Sequence, residues 1–200
     1  MSIIITVPHA ACSTNVPEDR KCDRRAEEAA LVLSNNLGRR GITYWVQINA
    51  EVERCVCSGK DCRGTSRTCI DMNRKKSRRT SWRRDLTRLL LDRPDWVVDI
   101  HSFPWMAKED KLSFGLDTLV VLLVEEDTLS PEISEMYSKL VELLGKDSAL
   151  VFRGKDNDIL IQANKLGIKS VLIEVHEDET ALSKDTLEQT MDVVASILAK

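Results

Sequence analysis

The chain has 200 residues, 42% hydrophobic and 30% charged, with a formal net charge of −3. That length suits one domain with a real core, and the slightly acidic balance argues against a protein devoted to nucleic acid or an anionic membrane surface. No run reaches the roughly 18 consecutive apolar residues of a spanning helix, and the apolar start, Ser2 to Val7, is too short for a secretory signal. The expectation is a cytoplasmic protein, with residues 1–200 forming a single domain.

In chain order, residues 3–7 predict a strand. Residues 22–37 carry Ala26, Ala29, Ala30, Leu33 and Leu37 at helical spacing, with Gly38 placed to close the helix. A second strand is expected over residues 42–48. From about 50 to 79 apolar periodicity disappears and Cys, Arg and Lys dominate, which predicts a long irregular excursion of a kind that often carries function. A helix over residues 81–92 is stopped by Arg93 and Pro94, and strands follow at 96–100 and 118–124. Ser130 as N-cap and Pro131 at the first helical position open a helix to about Gly145. A short strand at 150–152, a helix at 157–166 ended by Gly167, a strand at 170–175 and an amphipathic helix at 183–198 complete the chain. Alternating strands and helices predict an α/β protein, a three-layer α/β/α sandwich with a mainly parallel or mixed central sheet.

All six cysteines (Cys12, Cys22, Cys55, Cys57, Cys62 and Cys69) fall in the first part of the chain. A reducing compartment disfavours disulfides. No CxxC pair occurs, so ordinary thiols are the leading reading and a second metal or a disulfide stays open.

The chain has three histidines, each where an apolar run meets a loop: His9 in "IIITVPHA", His101 in "VVDIHSFP" and His176 in "LIEVHED". Ligands of open α/β sheets gather beyond the carboxyl ends of the strands. His9, His101 and Glu174 would converge there if their strands are neighbours. Two imidazoles and a carboxylate are a common shell for catalytic zinc. A separate carboxylate then serves as proton acceptor; Glu174, set in an apolar strand end that raises its pKa, suits that task. The bland alternative is that each imidazole merely satisfies backbone groups.

A second constellation is "SRTCIDMNRKKSRR", residues 66–79. Asn73 and Arg74 side by side suit a carboxylate, Arg74 as a bidentate fork, and Arg67 adds positive charge. A solvated basic stretch is the plain alternative. A weaker one is nucleic-acid binding through Arg74, Lys75, Lys76, Arg78, Arg79, Arg83 and Arg84. Trp82, Trp105 and Met106 are candidates either to line a pocket or simply to pack.

Taken together, "VPHA", "SRTCIDMNR", "VVDIHSFP" and "LIEVHED" resemble, in order and spacing, the N-formylglutamate amidohydrolase-like family of the wider zinc carboxypeptidase-like hydrolases. The resemblance implies a carboxypeptidase-like (phosphorylase/hydrolase-like) fold and a Zn2+ ion held by His9, an acidic residue and His101. Asp23, in "CDRRAEEAA", best fits the acidic position, just before the first helix where a carboxylate is favoured; Glu18, Asp19, Glu27 and Cys12 are alternatives. It further implies that Asn73 and Arg74 bind the substrate carboxylate and that Arg67 assists or polarises the scissile carbonyl. Asp71 would position that loop, Asp99 would orient a ligand from the same strand face as His101, and Ser102 would bond near the metal. Glu174 corresponds to the general base that later protonates the leaving amine. His176 has no counterpart and is expected at the rim. The family's "PHSG" is here "PHAA", and Pro17 falls late.

The expected activity is hydrolysis of an amide bond in an N-acyl (including N-formyl) amino acid or a C-terminal peptide, with a free carboxylate on the substrate. A metal-binding or interaction protein without turnover, and the nucleic-acid reading, are the alternatives.

Overall fold

The computed structural model describes residues 1–9, 23, 25–49, 72–73, 75–103, 117–125, 129–154 and 157–200. The elements run β1 (Ser2–Val7), α1 (Ala26–Arg39), β2 (Thr43–Ile48), a 3-10 turn (Lys75–Arg79), α2 (Ser81–Leu91), β3 (Trp96–Phe103), β4 (Val120–Val124), α3 (Pro131–Leu144), β5 (Ala149–Arg153), α4 (Asp158–Lys165), β6 (Lys169–His176) and α5 (Lys184–Leu198). The six strands make one sheet in the order β2-β1-β3-β6-β4-β5. Strands β2, β1, β3 and β6 are mutually parallel, whereas β4 runs against β6 and takes β5 with it.

Strand alternation sorts the core into two faces. Ile3, Ile5, Val98, Ile100, Val171 and Ile173 point to one face and pack with α1, α3 and α5. Ile4 and Val97 point to the other, where they meet Trp82, Leu86 and Leu90 of α2 and Ile159 and Ala163 of α4. This is the expected three-layer architecture. Each fully buried Leu or Ile contributes roughly 1.5–3 kcal/mol, so the first and larger cluster carries most of the apolar stabilisation. The second face leaves room for polar atoms. Trp82 belongs to that second cluster, so it packs rather than lining a pocket.

Three local expectations are corrected. Helix α1 begins at Ala26 and continues through Gly38. Its closure is a Schellman motif one turn later, with Gly41 at φ 70° and hydrogen bonds from the Gly41 and Ile42 N–H groups to the Gly38 and Leu37 carbonyls. Strand β3 runs on to Phe103, so His101 and Ser102 sit inside the strand and not beyond it. Arg83 is no part of a basic surface: it is fully buried. Its guanidinium donates to Asp158 Oδ2 at 2.7 Å, Gln162 Oε1 at 2.5 Å and the Met72 carbonyl at 2.9 Å. Arg78 makes a two-pronged contact with the same carboxylate, at 2.7 and 2.6 Å. Asp158, in the first turn of α4, pairs with both and ties them into the fold, which weakens the nucleic-acid reading.

Among the described residues, no helix is long and apolar enough to cross a membrane. The six cysteines all lie outside the described residues.

Removing one partner of a buried ion pair strands the other's charge at a cost of about 3–5 kcal/mol. Asp158→Ala should therefore lower the unfolding free energy in urea by about 3 kcal/mol, and Arg83→Met in the same chain should restore part of it. A change below about 1 kcal/mol in Asp158→Ala would contradict the role given to this pair.

Candidate metal centre

Strands β1, β3 and β6 are adjacent, which brings the residues at their carboxyl ends together. His101 lies directly opposite Glu174, and Thr6 opposite Asp99. In a parallel pair such partners share a face, here the face covered by α2 and α4. His9 follows β1 by two residues, and its ring meets His101 edge-on with centroids 4.8 Å apart.

Asp23 joins them through the backbone. Its N–H donates to the His9 carbonyl at 3.1 Å, and its own carbonyl accepts the Ala26 N–H at the start of α1. Its Oδ2 then lies 2.7 Å from His101 Nδ1 and 3.4 Å from His9 Nδ1. The oxygen is buried between the two imidazoles. Donor atoms of His9, Asp23 and His101 all lie within 4.8 Å of one another. Ligands about 2.0–2.1 Å from a tetrahedral ion stand roughly 3.4 Å apart; the His9–Asp23 pair stands at that separation, whereas the His101–Asp23 pair, at 2.7 Å, is closer. Two imidazole nitrogens and a carboxylate oxygen that converge in this way are the donor set of a divalent cation such as zinc.

The electrostatics favour positive charge at this point. Burial alone would raise the Asp23 pKa, but the His101 and His9 imidazoles outweigh it and hold the carboxyl down to about 2. Burial alone would lower the His101 pKa, but the Asp99 and Asp23 carboxylates outweigh it and hold it well above 6.5. Glu174 is pushed up from its ordinary value, chiefly by burial and against the pull of His101.

Asp99, fully buried, is the second carboxylate on His101, with Oδ2 3.2 Å from Nε2. An imidazole that turns one nitrogen to a cation and the other to a carboxylate has its tautomer and ring angle set by the latter. Asn73 Nδ2 stands 3.0 Å from the same Nε2, so the Asn73 amide touches the imidazole.

Ser102 faces away from this cluster, towards α1. Its Oγ accepts the Arg25 N–H at 3.2 Å and donates to Glu177 Oε1 at 3.0 Å. It thereby pins the start of α1, two residues after Asp23. His176 is buried at 2% exposure, contrary to the expected rim position. Its Nδ1 accepts the Asp178 N–H at 3.0 Å, its ring abuts Phe103, and burial lowers its pKa.

Glu27, one alternative acidic residue, is exposed on the first turn of α1. Glu18, Asp19, Cys12, Arg67, Asp71, Arg74, Trp105 and Met106 lie outside the described residues. Two participants were missed from sequence. Thr6 donates to Asp99 Oδ1 at 2.6 Å, and Asn157 Nδ2 donates to Asp99 Oδ2 at 2.7 Å. The one signal was Asn157 at the start of a predicted helix, which does not announce a bond across 58 residues of sequence.

No family model and no curated protein sequence matches the chain. Solved structures do. The catalytic domain of the CD27L endolysin targeting Clostridia difficile is 18% identical at a TM-score of 0.61, covering 100% of this chain and 98% of its own. N-acetylmuramoyl-L-alanine amidase from Clostridium difficile 630 is 13% identical at 0.55, covering 98% and 94%. N-formylglutamate amidohydrolase from Ralstonia eutropha JMP134 is 13% identical at 0.56, covering 98% and 92%. The chain has the fold of these proteins, among them an amidase and an amidohydrolase. N-formylglutamate amidohydrolase is thus one neighbour among several, and N-acetylmuramoyl-L-alanine amidases, to which the sequence motifs did not point, are the more numerous.

Ser102→Ala leaves the buried Arg25 N–H without its acceptor, which costs about 1–3 kcal/mol. Denaturant unfolding should show a loss in that range. An unchanged midpoint would mean that α1 is anchored without Ser102.

Proposed function

We propose that this protein is a zinc-dependent hydrolase of an amide bond in an N-acyl amino acid, N-formyl included, or a C-terminal peptide. The observation that carries the reading is the convergence of His9, Asp23 and His101, with Glu174 opposite His101, at the carboxyl ends of the adjacent parallel strands β1, β3 and β6. The shared fold with amide-bond hydrolases supports it.

In this reading His9, Asp23 and His101 hold the ion. When bound, zinc supplies Lewis acidity that polarises a carbonyl and acidifies water. The protein's own groups do the rest. Glu174 accepts the proton of the attacking water and delivers it to the amine nitrogen as the C–N bond breaks. A carboxyl with a raised pKa is matched to both transfers. Asp99 keeps His101 turned to the ion. Asn73, Arg74 and Arg67 bind the substrate carboxylate; the place of the Asn73 amide beside His101 would set that carboxylate close to the reacting bond. The structural neighbours add amides of N-acetylmuramoyl-L-alanine as a further substrate class to screen.

Elemental analysis of the purified protein should find about one zinc per chain. His101→Ala and Asp23→Ala should each lose it; zinc retained in both would move the metal to the cysteines and sink this assignment.

Glu174→Gln should keep its zinc and lose hydrolysis of N-formyl, N-acyl or N-acetylmuramoyl substrates by at least about 100-fold. Loss of zinc from that variant would make Glu174 a ligand instead of the base. Zinc without turnover of any of these substrates in the parent would favour an interaction protein on the same fold.

A further inference from the structure

We propose that Asn157 is a positioning residue of the metal centre, acting through Asp99 on His101. The inference rests on the zinc reading above and extends it to a residue more than fifty positions from any ligand.

The Asn157 side chain spends its oxygen on the helix, accepting the Ile159 and Leu160 N–H groups at 2.9 and 3.2 Å as the N-cap of α4. Its amide nitrogen is then the part that points back to the sheet, where it donates to Asp99 Oδ2 at 2.7 Å. The amide orientation is therefore fixed from both ends: a flipped Asn157 would lose the cap and turn an oxygen onto a carboxylate. Thr6 holds the other oxygen of Asp99 at 2.6 Å. With Oδ1 held by Thr6 and Oδ2 by Asn157, the plane of the Asp99 carboxylate is set, and Oδ2 is presented to His101 Nε2.

The same helix start also braces Asn73, a second neighbour of that nitrogen. The Asp158 N–H donates to the Asn73 carbonyl at 2.7 Å, and Asn73 Nδ2 stands against His101 Nε2. The backbone of Asn157 is itself tethered, its N–H donating to Glu125 Oε1 at 2.9 Å. The start of α4 is thus tied to the end of β4 and cannot follow Asp99 if the carboxylate rotates. Groups that orient a ligating histidine are typically worth about 10–100-fold in metal affinity.

The test is zinc affinity of the full chain, by competition with a chromogenic chelator, for the parent, Asn157→Ser, Asp99→Asn and the double variant. Serine caps a helix as well as asparagine does but falls short of Asp99, so Asn157→Ser should keep the fold, with the urea midpoint lowered only by the donor that the buried Asp99 carboxylate loses. Its zinc affinity should fall about 10–100-fold. In the Asp99→Asn background the same change should cost little more, because the route through Asp99 is already cut. Affinity of Asn157→Ser within twofold of the parent overturns the inference, as does an equal additional loss in the Asp99→Asn background. Should Asn157→Ser fail to fold, Asn157→Asp, which keeps both the cap and the side-chain shape but places an acceptor against Oδ2, replaces it with the same expected loss. A parent that binds no zinc overturns the metal reading itself, and this inference with it.

Discussion

A carboxylate shut away from water costs several kcal/mol unless donors surround it, and Asp99 is shut away completely. Its demand for donors organises one whole side of the sheet. Thr6 answers from β1, Asn157 from the start of α4, and His101 from two positions along the same strand. Meeting these three bonds requires β1 to pair with β3 in the observed register, α4 to lie under β3, and the His101 ring to stand with Nε2 inward. What turns outward is Nδ1, towards Asp23 and His9.

The two faces of the sheet therefore divide the labour. On the side of α1, α3 and α5 the strands present an unbroken apolar surface that holds the molecule together. On the side of α2 and α4 the apolar cluster is smaller, and polar residues take the space that remains. Asp158, with Arg83 and Arg78, is the structural anchor of that second side. Its pairing holds α2 to α4, and Arg83 ties the Met72 carbonyl, next to Asn73, to the same assembly. Charged groups that keep each other in place so close to an apolar sheet let the candidate site stay polar without loosening the layer around it.

Much of this was legible in the sequence. Helical spacing in α1, α3 and α5 and the uninterrupted apolar runs of β3 and β6 announced a sheet covered on both faces. The placement of His9, His101 and Glu174 at strand ends announced where to look, and their strands are neighbours. The reversal of β4 and β5 left no trace, because a run such as Val120–Val124 has the same pattern in either direction. Arg83 looked like one more surface cation, since nothing near it in sequence reveals an aspartate 75 residues away. Asn157 was legible as the start of a helix and illegible as a partner of Asp99 for the same reason. Local chemistry shows in local sequence, whereas a bond across the fold depends on geometry that pattern alone does not carry.

Helix α4 is only eight residues long, and its far end is set by Gly167 at φ 73° and by the hydrogen bond from the Ile168 N–H to the Ala163 carbonyl. It works as a ruler between the fixed entry into β6 and the middle of β3. Each residue of a helix advances about 1.5 Å and turns about 100°. One residue added or removed within α4 would swing Asn157 to another side of the helix, and Asp99 would lose its partner even with every side chain of the centre intact. Loops can change length here at little cost, but this short helix cannot.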